Sequence, residues 1–351
     1  MHTNVVPPHR AASGQSLSAL ARIAHHATDP KLARMTALTP RTLGPQPTAD
    51  ALPYTELTRE IENLLQDPTV AVPPRLVQPL HGGGSLFVMP AADASVAMTK
   101  LITFIANNAQ RGLPTIQGDI VLFDVTTGQR MAMIDGPTVT ARRTAAVSLL
   151  AAQKLAPRKD GPLLIVGAGV QGLSHLEAFH QGLGVQEVWI ASRSAASADA
   201  LVGHAERLGL KARRVDDPNA ALAECPLVIT TTPAQQVVMT ARPRDDAFVS
   251  AVGAFTPRMV EWSADVCQHL AHTGTLVVDT RDADHEAGDL LQAGVNVELL
   301  PTLRDVVCQT EAWQTAAQRR LEHGGPVFFK SCGWGGWDLA AARCVAAQLS
   351  R

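Results

Sequence analysis

The sequence predicts an α/β fold built on a doubly wound parallel sheet, together with a second region of helices and strands. A short apolar run at residues 163–166 is followed at once by a glycine-rich turn and an amphipathic segment. Further short apolar runs then alternate with helical segments, a pattern typical of a parallel sheet covered on both faces. Residues 54–135, ahead of the turn, contain one helix and several strand candidates, so they are expected to form a separate sheet.

Length and composition limit the classes of function. The chain has 351 residues, enough for two domains with cores of their own, and it is 46% hydrophobic and 18% charged. A net charge of −2 gives no reason to expect a nucleic acid or an anionic membrane as a partner. No apolar run of transmembrane length occurs. We therefore expect a globular protein that binds neither nucleic acid nor a membrane.

The cysteines and histidines argue against a disulfide framework and against a metal site. The five cysteines are odd in number, scattered and without a CxxC pair. This pattern favours a reducing compartment and predicts a cytoplasmic protein. The histidines form no clear ligand set, so no metal is predicted.

Residues 1–48 are predicted to be a flexible extension, rich in proline, alanine, serine and histidine, with Asp29 as their only acid. Two alternatives are a transit peptide, which is also poor in acids, and a misplaced start codon with Met35 as an internal candidate. Residues 54–66 are predicted to form a helix with one apolar face. Strands are predicted at 86–89, 94–105, 119–124 and 130–135.

Lys100 is unusual within the second of these strands. The period of two places it on one face with Val96, Met98 and Ile102. It is either an edge lysine that extends into solvent or a buried amine. Desolvation lowers the pKa of a buried amine and makes it a usable acid or base.

Residues 140–156 are predicted to form a helix that ends before Pro157, with Thr140 as its cap. Arg142 and Arg143 would then lie in the first turn, where a cation is unfavourable unless an anion binds there. The start of this helix is therefore a candidate carboxylate site. The alternative is a solvated arginine pair.

The glycine-rich turn has the GxGxxG pattern, Gly167-Ala168-Gly169-Val170-Gln171-Gly172. Gly167 is expected to allow the tight turn, Gly169 to let a pyrophosphate approach the backbone, and Gly172 to let helix and strand pack closely. The helix that begins at Val170 and Gln171 offers free amides to the phosphates. Because a strand, a helix and a second strand surround this turn, it predicts a dinucleotide site.

The strand predicted at 185–192 indicates which dinucleotide is bound. An NAD site usually carries an acid there for the ribose 2′-hydroxyl, but this strand ends in Ser192 and Arg193. A hydroxyl and a guanidinium suit a 2′-phosphate, so NADPH is favoured, with NADH possible. Alternatively, Arg193 stacks on the adenine or faces solvent.

Ligands of a parallel sheet bind at the carboxyl ends of its strands. The strands predicted at 227–231 and 248–252 end at such positions, and two further strands are predicted at 211–215 and 275–279. We expect the residues at the first two ends to contact the dinucleotide, namely Thr231, Thr232, Val252 and Gly253. The tail is predicted to contain a helix at 310–323, a strand at 327–330 and a helix at 339–349 that Asp338 caps.

With these motifs placed, the chain resembles the ornithine cyclodeaminase/mu-crystallin family from about residue 50 to the end. The Arg-Thr-Ala-Ala segment ahead of the glycine turn is its most specific mark. The motifs that carry the resemblance are Pro73-Pro74-Arg75, Met98-Thr99-Lys100, Thr140-Ala141-Arg142-Arg143-Thr144-Ala145-Ala146, the glycine turn from Val166 to Gly172, Val252-Gly253-Ala254 and Phe328-Phe329-Lys330-Ser331-Cys332-Gly333.

The resemblance implies a two-domain homodimer. Residues 158–325 would form a Rossmann-type domain, and residues 49–157 with 326–351 a substrate and dimerisation domain whose two copies close a shared β-barrel. A small amino or imino acid would bind between the domains. Arg75 and Arg143 match positions that hold the substrate carboxylate, and Lys100 matches a lysine at the reacting end.

One departure from the family pattern favours a reductase. Cyclodeaminases of the family carry an aspartate shortly after Val-Gly-Ala, whereas this chain has Phe255, an expected apolar wall of the substrate pocket. Reduction of a cyclic imine needs less proton management on an amine than ornithine cyclisation does. The chain, including its tail from Cys332 to Asp338, looks most like the reductases that convert Δ1-pyrroline-2-carboxylate to L-proline and Δ1-piperideine-2-carboxylate to L-pipecolate. The alternatives are an ornithine cyclodeaminase, an alanine dehydrogenase, and a non-catalytic binding protein like mu-crystallin.

Overall fold

The computed structural model describes residues 40–233 and 236–349. The first 39 residues, which include most of the predicted extension, lie outside the described part of the chain. The strands are β1 Arg41–Leu43, β2 Leu76–Pro79, β3 Ser85–Ala92, β4 Val96–Phe104, β5 Ile116–Asp124, β6 Arg130–Asp135, β7 Leu163–Val166, β8 Glu187–Ala191, β9 Lys211–Arg214, β10 Leu227–Thr230, β11 Phe248–Ala251, β12 Thr275–Val278 and β13 Val327–Lys330. The helices are α1 Pro45–Asp50, α2 Tyr54–Gln66, α3 Gly136–Leu155, α4 Val170–Leu183, α5 Ala195–Arg207, α6 Pro218–Ala221, α7 Ala264–Thr273, α8 Ala283–Glu286, α9 Gly288–Gln292, α10 Leu303–Cys308, α11 Glu311–His323 and α12 Gly335–Leu349.

The larger of the two sheets is the predicted parallel one. Its seven strands lie in the order β12-β13-β11-β10-β7-β8-β9, and every neighbouring pair is parallel. Alternate residues of β7 enter two separate cores: Leu163 and Ile165 join one, and Leu164 and Val166 join the other. Both faces are therefore covered, which explains why β7 is a continuous apolar run. The predicted doubly wound α/β fold is confirmed.

The second sheet has six strands in the order β1-β6-β5-β4-β3-β2 and is antiparallel except for the β1–β6 pair. Strand β4, which carries Lys100, is an interior strand between β3 and β5. Helix α12 packs on β3 and β4, while α3 contacts this sheet at β5 and the parallel sheet at β11. The two sheets are thus joined through α3.

Helix α3 begins earlier than predicted. The Asp135 side chain accepts a hydrogen bond from Thr138 N at 2.8 Å and caps the helix, so Gly136 is its first residue. Thr140 is therefore not the cap; its hydroxyl donates to Gly136 O at 2.8 Å. Arg142 and Arg143 lie beyond the first turn, so the helix-dipole argument for an anion site at the helix start does not apply to them.

The predicted limits of the segments need two corrections. Residues 40–48 belong to the fold: β1 pairs with β6, and buried Thr48 donates to Leu43 O at 3.1 Å and accepts from Asp135 N at 3.2 Å. Strand β13 pairs with β11 and β12, so it belongs to the parallel sheet and not to the substrate domain to which residues 326–351 were assigned. A four-residue apolar strand suits either sheet, and only its pairing decides between them.

Helix α12 begins at Gly335, so Asp338 lies within its first turn and is not its cap. Asp338 is fully buried. Among the described residues, no helix is both long and apolar enough to cross a bilayer.

Candidate active site

The turn between β7 and α4 has the backbone geometry that a pyrophosphate site requires. Gly167 has a φ of +115°, a conformation that glycine adopts without strain. A methyl group at Gly172 would lie 2.1 Å from the Gly167 carbonyl oxygen, so only glycine lets the helix pack this closely. Nothing lies within 4 Å of a methyl group placed at Gly169, which leaves open space above that backbone.

The N-terminus of α4 has backbone N–H groups that no side chain caps. Gly169 is the N-cap, and no side chain caps the helix there. Val170 is 68% exposed, and Gln171 Oε1 is buried without a hydrogen-bond partner among the described residues. An uncapped helix N-terminus attracts phosphate through its free N–H groups and its dipole. The open space and the free amides fit the pyrophosphate of a bound dinucleotide.

The strand ends beside this turn are tied together by one buried carboxylate. Thr231 donates from Oγ1 to Gly167 O at 3.0 Å and so links β10 to the glycine turn. Thr232 donates from N and Oγ1 to Glu261 Oε1 at 2.7 and 2.9 Å. Gly253, which follows Val252 after β11, donates from N to Glu261 Oε2 at 2.8 Å. Burial raises the pKa of Glu261, and its hydrogen-bond donors counter that effect.

A buried ion pair holds the backbone at Glu261. Lys330 Nζ donates to Asp289 Oδ2 at 2.7 Å, and both side chains are fully buried. Asp289 Oδ1 in turn accepts from the backbone N of Glu261 and of Trp262, at 2.6 and 2.9 Å. The loops after β10 and β11 are thus held by a continuous network of buried charges.

Ser192 and Arg193 follow β8 at the same edge of the sheet. Arg193 is exposed, and Ser192 is half-buried and accepts from Ser194 N at 3.3 Å. Ser194 caps α5 by accepting from Ser197 N at 3.2 Å. The Arg193 guanidinium is therefore accessible to a ligand, as a contact to a 2′-phosphate requires.

Lys100 is a buried amine and not an edge lysine that extends into solvent. It is 1% exposed and pairs across the sheet with Met89 and Ile120. Burial lowers the pKa of Lys100 to about 8; the charge of Asp338 opposes this shift and that of Arg143 adds to it.

Lys100 and Arg143 are brought together by Asp338. Lys100 Nζ lies 3.2 and 3.3 Å from the two carboxylate oxygens of Asp338, and Arg143 Nε lies 3.4 Å from Oδ1. The Arg143 contact is close enough for an ion pair but is not aligned as a hydrogen bond, and Nε has no hydrogen-bond partner within the described residues. We call these three residues the lysine–aspartate–arginine cluster. Its two cations and one anion leave one positive charge that a carboxylate ligand would neutralise.

Gly333 lies against the guanidinium of Arg143. A methyl group at Gly333 would lie 3.3 Å from Arg143 Nη1. Buried Asp279 holds this loop, because its Oδ2 accepts from the backbone N of Cys332 and Gly333 at 2.9 and 2.8 Å. Gly333 has a φ of +98°, a conformation that favours glycine, and an added methyl group would press against the guanidinium.

Arg75 and Phe255 are not among the contacts of the cluster. The Arg75 guanidinium forms an ion pair with Glu286 of α8, and its side chain is 41% exposed. Glu286 Oε2 is buried without a hydrogen-bond partner in the described parts of the chain. Phe255 is 49% exposed and follows the Val252–Ala254 segment. The roles predicted for these two residues remain predictions.

The described residues contain no group of three or more histidine, cysteine, aspartate or glutamate side chains placed to hold a metal ion.

The model of the ornithine cyclodeaminase/mu-crystallin family matches residues 51–351. The chain belongs to this family. The resemblance inferred from the motifs is therefore confirmed.

Two relatives within the family cover nearly all of the chain. Δ1-Pyrroline-2-carboxylate reductase 1 of Burkholderia multivorans is 36% identical over 86% of this chain and 94% of its own length. Δ1-Pyrroline-2-carboxylate/Δ1-piperideine-2-carboxylate reductase of Azospirillum brasilense is 34% identical over 90% of this chain and 98% of its own length.

A solved structure has the same fold. The Δ1-pyrroline-2-carboxylate reductase of Thermococcus litoralis, determined in complex with NADH and L-proline, superposes with a TM-score of 0.76. The match covers 88% of this chain and 97% of that one, at 21% identity. At this identity the likeness concerns the fold.

Several residues of the candidate site carry no clear signal in the sequence. Asp338 was interpreted as a helix cap, although an acid followed by Leu339 and Ala340 on a buried helix could have marked it as a paired charge. Lys330 carried part of the resemblance but was given no role. Glu261, Asp289 and Glu286 had no local signal, since their partners are distant in the sequence.

Proposed function

We propose that this protein is an NAD(P)H-dependent oxidoreductase that reduces the C=N bond of small cyclic imino acids. The expected reactions convert Δ1-pyrroline-2-carboxylate to L-proline and Δ1-piperideine-2-carboxylate to L-pipecolate. The names of the two bacterial relatives, at 34–36% identity over most of the chain, support this substrate class.

The observation that carries the proposal is the lysine–aspartate–arginine cluster. A buried guanidinium with an unpartnered Nε suits a carboxylate, and a buried amine whose pKa lies near 8 suits proton transfer near neutral pH. A cyclic imino acid carries a carboxylate next to an imine nitrogen. Its two reacting features therefore match two neighbouring side chains.

The chemistry follows from these positions. A dinucleotide held at the glycine turn would supply the hydride for the imine carbon. Arg143 binds the carboxylate, with Arg75 as a second candidate, and orients the ring. Lys100 donates its proton to the neutral imine nitrogen, because a charged lysine would repel an iminium already formed. The imine, the reduced dinucleotide and one proton thus yield the cyclic amino acid and the oxidised dinucleotide. Phe255 is proposed as an apolar wall of the substrate pocket.

For the cofactor, we propose a preference for NADPH over NADH. Support comes from the exposed Arg193 guanidinium beside Ser192 at the end of β8. A guanidinium binds a phosphate through paired hydrogen bonds, which a ribose hydroxyl cannot match. We also propose that the protein forms L-pipecolate and that it is cytoplasmic.

A homodimer is proposed through the antiparallel sheet. Leu76, Val88 and Leu101 are direct partners across β2, β3 and β4, so they form one row on one face. Leu76 is 56% exposed and Leu101 40%. A second copy would cover this apolar row. The molar mass from light scattering tests this proposal: wild type should be a dimer and Leu101→Arg a monomer. A monomeric wild type would contradict it.

The test of function is the loss of nicotinamide absorbance with both imines, using NADPH and NADH in parallel. Rapid oxidation that depends on the imine is expected, faster with NADPH. Fast oxidation of NADH instead would retain the reductase and overturn the cofactor preference. If neither is oxidised but ornithine is converted without added reductant, the protein is a cyclodeaminase.

A further inference from the structure

We infer that Asp338 is a positioning residue for the reaction: it directs the Lys100 amine toward the substrate and keeps that amine protonated until the imine binds. This inference rests on the proposed function, in which Lys100 protonates the imine nitrogen.

The geometry leaves Lys100 one donor for a ligand. An ammonium has three N–H groups. Both carboxylate oxygens of Asp338 lie within hydrogen-bond distance of Nζ, at 3.2 and 3.3 Å. With two N–H groups directed to Asp338, the third remains. Lys100 is 1% exposed and Asp338 is fully buried, so the pair lies largely out of bulk solvent.

The charges around Lys100 make Asp338 its only anionic contact among the described residues. The neighbouring strands place Met89 and Ile120 beside Lys100, and neither carries a charge. Helix α3 contributes Arg143, a second cation, and α12 contributes Asp338. Burial and Arg143 both favour the neutral amine, and Asp338 opposes them. Without the carboxylate, Lys100 would lose its proton at a lower pH.

The proton balance also suits this role. When Lys100 gives its proton to the imine nitrogen, the amine becomes neutral, and its remaining N–H groups still donate to Asp338. The next proton comes from solvent water. Asp338 holds Lys100 throughout and gives no proton to the substrate itself.

Asp338→Asn tests this inference, because it removes the charge and keeps the shape. We expect the alkaline limb of kcat/KM for the imine to move to lower pH by about one unit or more, the usual effect of losing an opposite charge. The KM for the dinucleotide should be unchanged. The substrate titrates in the same way with wild type and with Asp338→Asn. A difference between their alkaline limbs therefore arises from the enzyme.

Asp93→Asn is the matched control. Asp93 is another buried aspartate of this part of the fold, bonded to Arg343 at 2.6 Å and remote from the cluster in its contacts. That variant should lower thermal stability and leave the limb in place. A limb in Asp338→Asn that superimposes on the wild-type limb, with only a smaller amplitude, would overturn the inference.

A measurement on the unmutated protein covers the case in which Asp338→Asn does not fold. With 13C labels at the aspartate carboxyl and lysine ε carbons, one lysine signal absent from Lys100→Met should titrate. One aspartate signal should move over the same pH range. If no aspartate signal follows that lysine, the inference is wrong. Because this experiment needs no turnover, it separates failure of the inference from failure of the proposed function.

Discussion

Lys100 and Asp338 stand 238 positions apart in the chain, yet Lys100 Nζ lies 3.2 Å from Asp338 Oδ1 in a fully buried ion pair. The lysine belongs to an interior strand, and the aspartate belongs to the C-terminal helix that packs on that strand. The candidate proton donor therefore depends on the docking of α12. Damage to that docking should affect catalysis before it affects dinucleotide binding.

The rate of imine reduction should fall as the pH rises through about 8. Burial lowers the pKa of Lys100 to about 8, and the protonated form is the proposed donor, so activity is lost as the amine deprotonates above that pH. The measurement is kcat/KM against pH. Lys100→Arg keeps a cation that does not deprotonate in this range, and its residual activity should lack the limb. An identical limb in both enzymes would assign it to the substrate.

Arg143→Ala should raise the KM for the imino acid about 10- to 100-fold, because hydrogen bonds to a charged group contribute about 1.5–3 kcal/mol. The kcat should change less. Steady-state kinetics with saturating NADPH measures both. An unchanged KM would remove Arg143 from substrate binding.

Arg142→Ala is the matched control on the same helix. Arg142 Nε donates to Leu52 O at 2.7 Å, and its guanidinium lies 3.9 Å from the centre of the Tyr54 ring. This variant should lower the melting temperature and leave the KM for the imino acid unchanged.

Glu286→Gln should lower the KM for the imino acid if Arg75 also holds the carboxylate. The ion pair with Glu286 engages the Arg75 guanidinium, and removal of that charge makes the guanidinium available to the substrate. Arg75→Ala should then raise the KM. If neither variant changes the KM, Arg75 serves the contact between α8 and the segment before β2, and not the substrate.

Gly169→Ala should fold normally and bind NADPH weakly. Gly169 has a φ of −92° and open space around an added methyl group, so the fold accepts alanine. The methyl group would occupy the space proposed for the pyrophosphate. Fluorescence titration with NADPH and thermal unfolding measure the two effects.

Gly44→Ala is the control glycine, since it also has open space and a φ of −71°. It should alter neither binding nor unfolding. Normal NADPH binding by Gly169→Ala would contradict the proposed pyrophosphate position.

Arg193→Ala should weaken NADPH binding about 10-fold or more and leave NADH binding unchanged, because only NADPH carries the 2′-phosphate. Arg193 is exposed, so stability should not change. The ratio of the two KM values is the measurement, and NADH serves as the internal control. Equal losses for both dinucleotides would assign Arg193 to the adenine and not to the phosphate.

Local patterns predicted the elements whose limits depend on local residues. Helix Tyr54–Gln66 and strands Leu163–Val166 and Val327–Lys330 have the predicted bounds. The start of α3 was missed, because the hydrogen bond from Thr138 N to the Asp135 side chain competes with a plausible cap at Thr140. The sheet to which β13 belongs was missed, because a short apolar strand carries no information about its partner.

By itself, the sequence determined the glycine turn, the alternation of strands and helices, the family, and the candidates Lys100 and Arg143. Those inferences rest on neighbours within a few residues, where spacing and side-chain type limit the backbone. Only the tertiary structure decided that Lys100 is buried, that Asp338 joins it to Arg143, and that Glu261 ties Thr232 to Gly253. Such pairings join residues far apart in the chain, and they arise because a buried charge is stable only beside a partner that the fold brings to it.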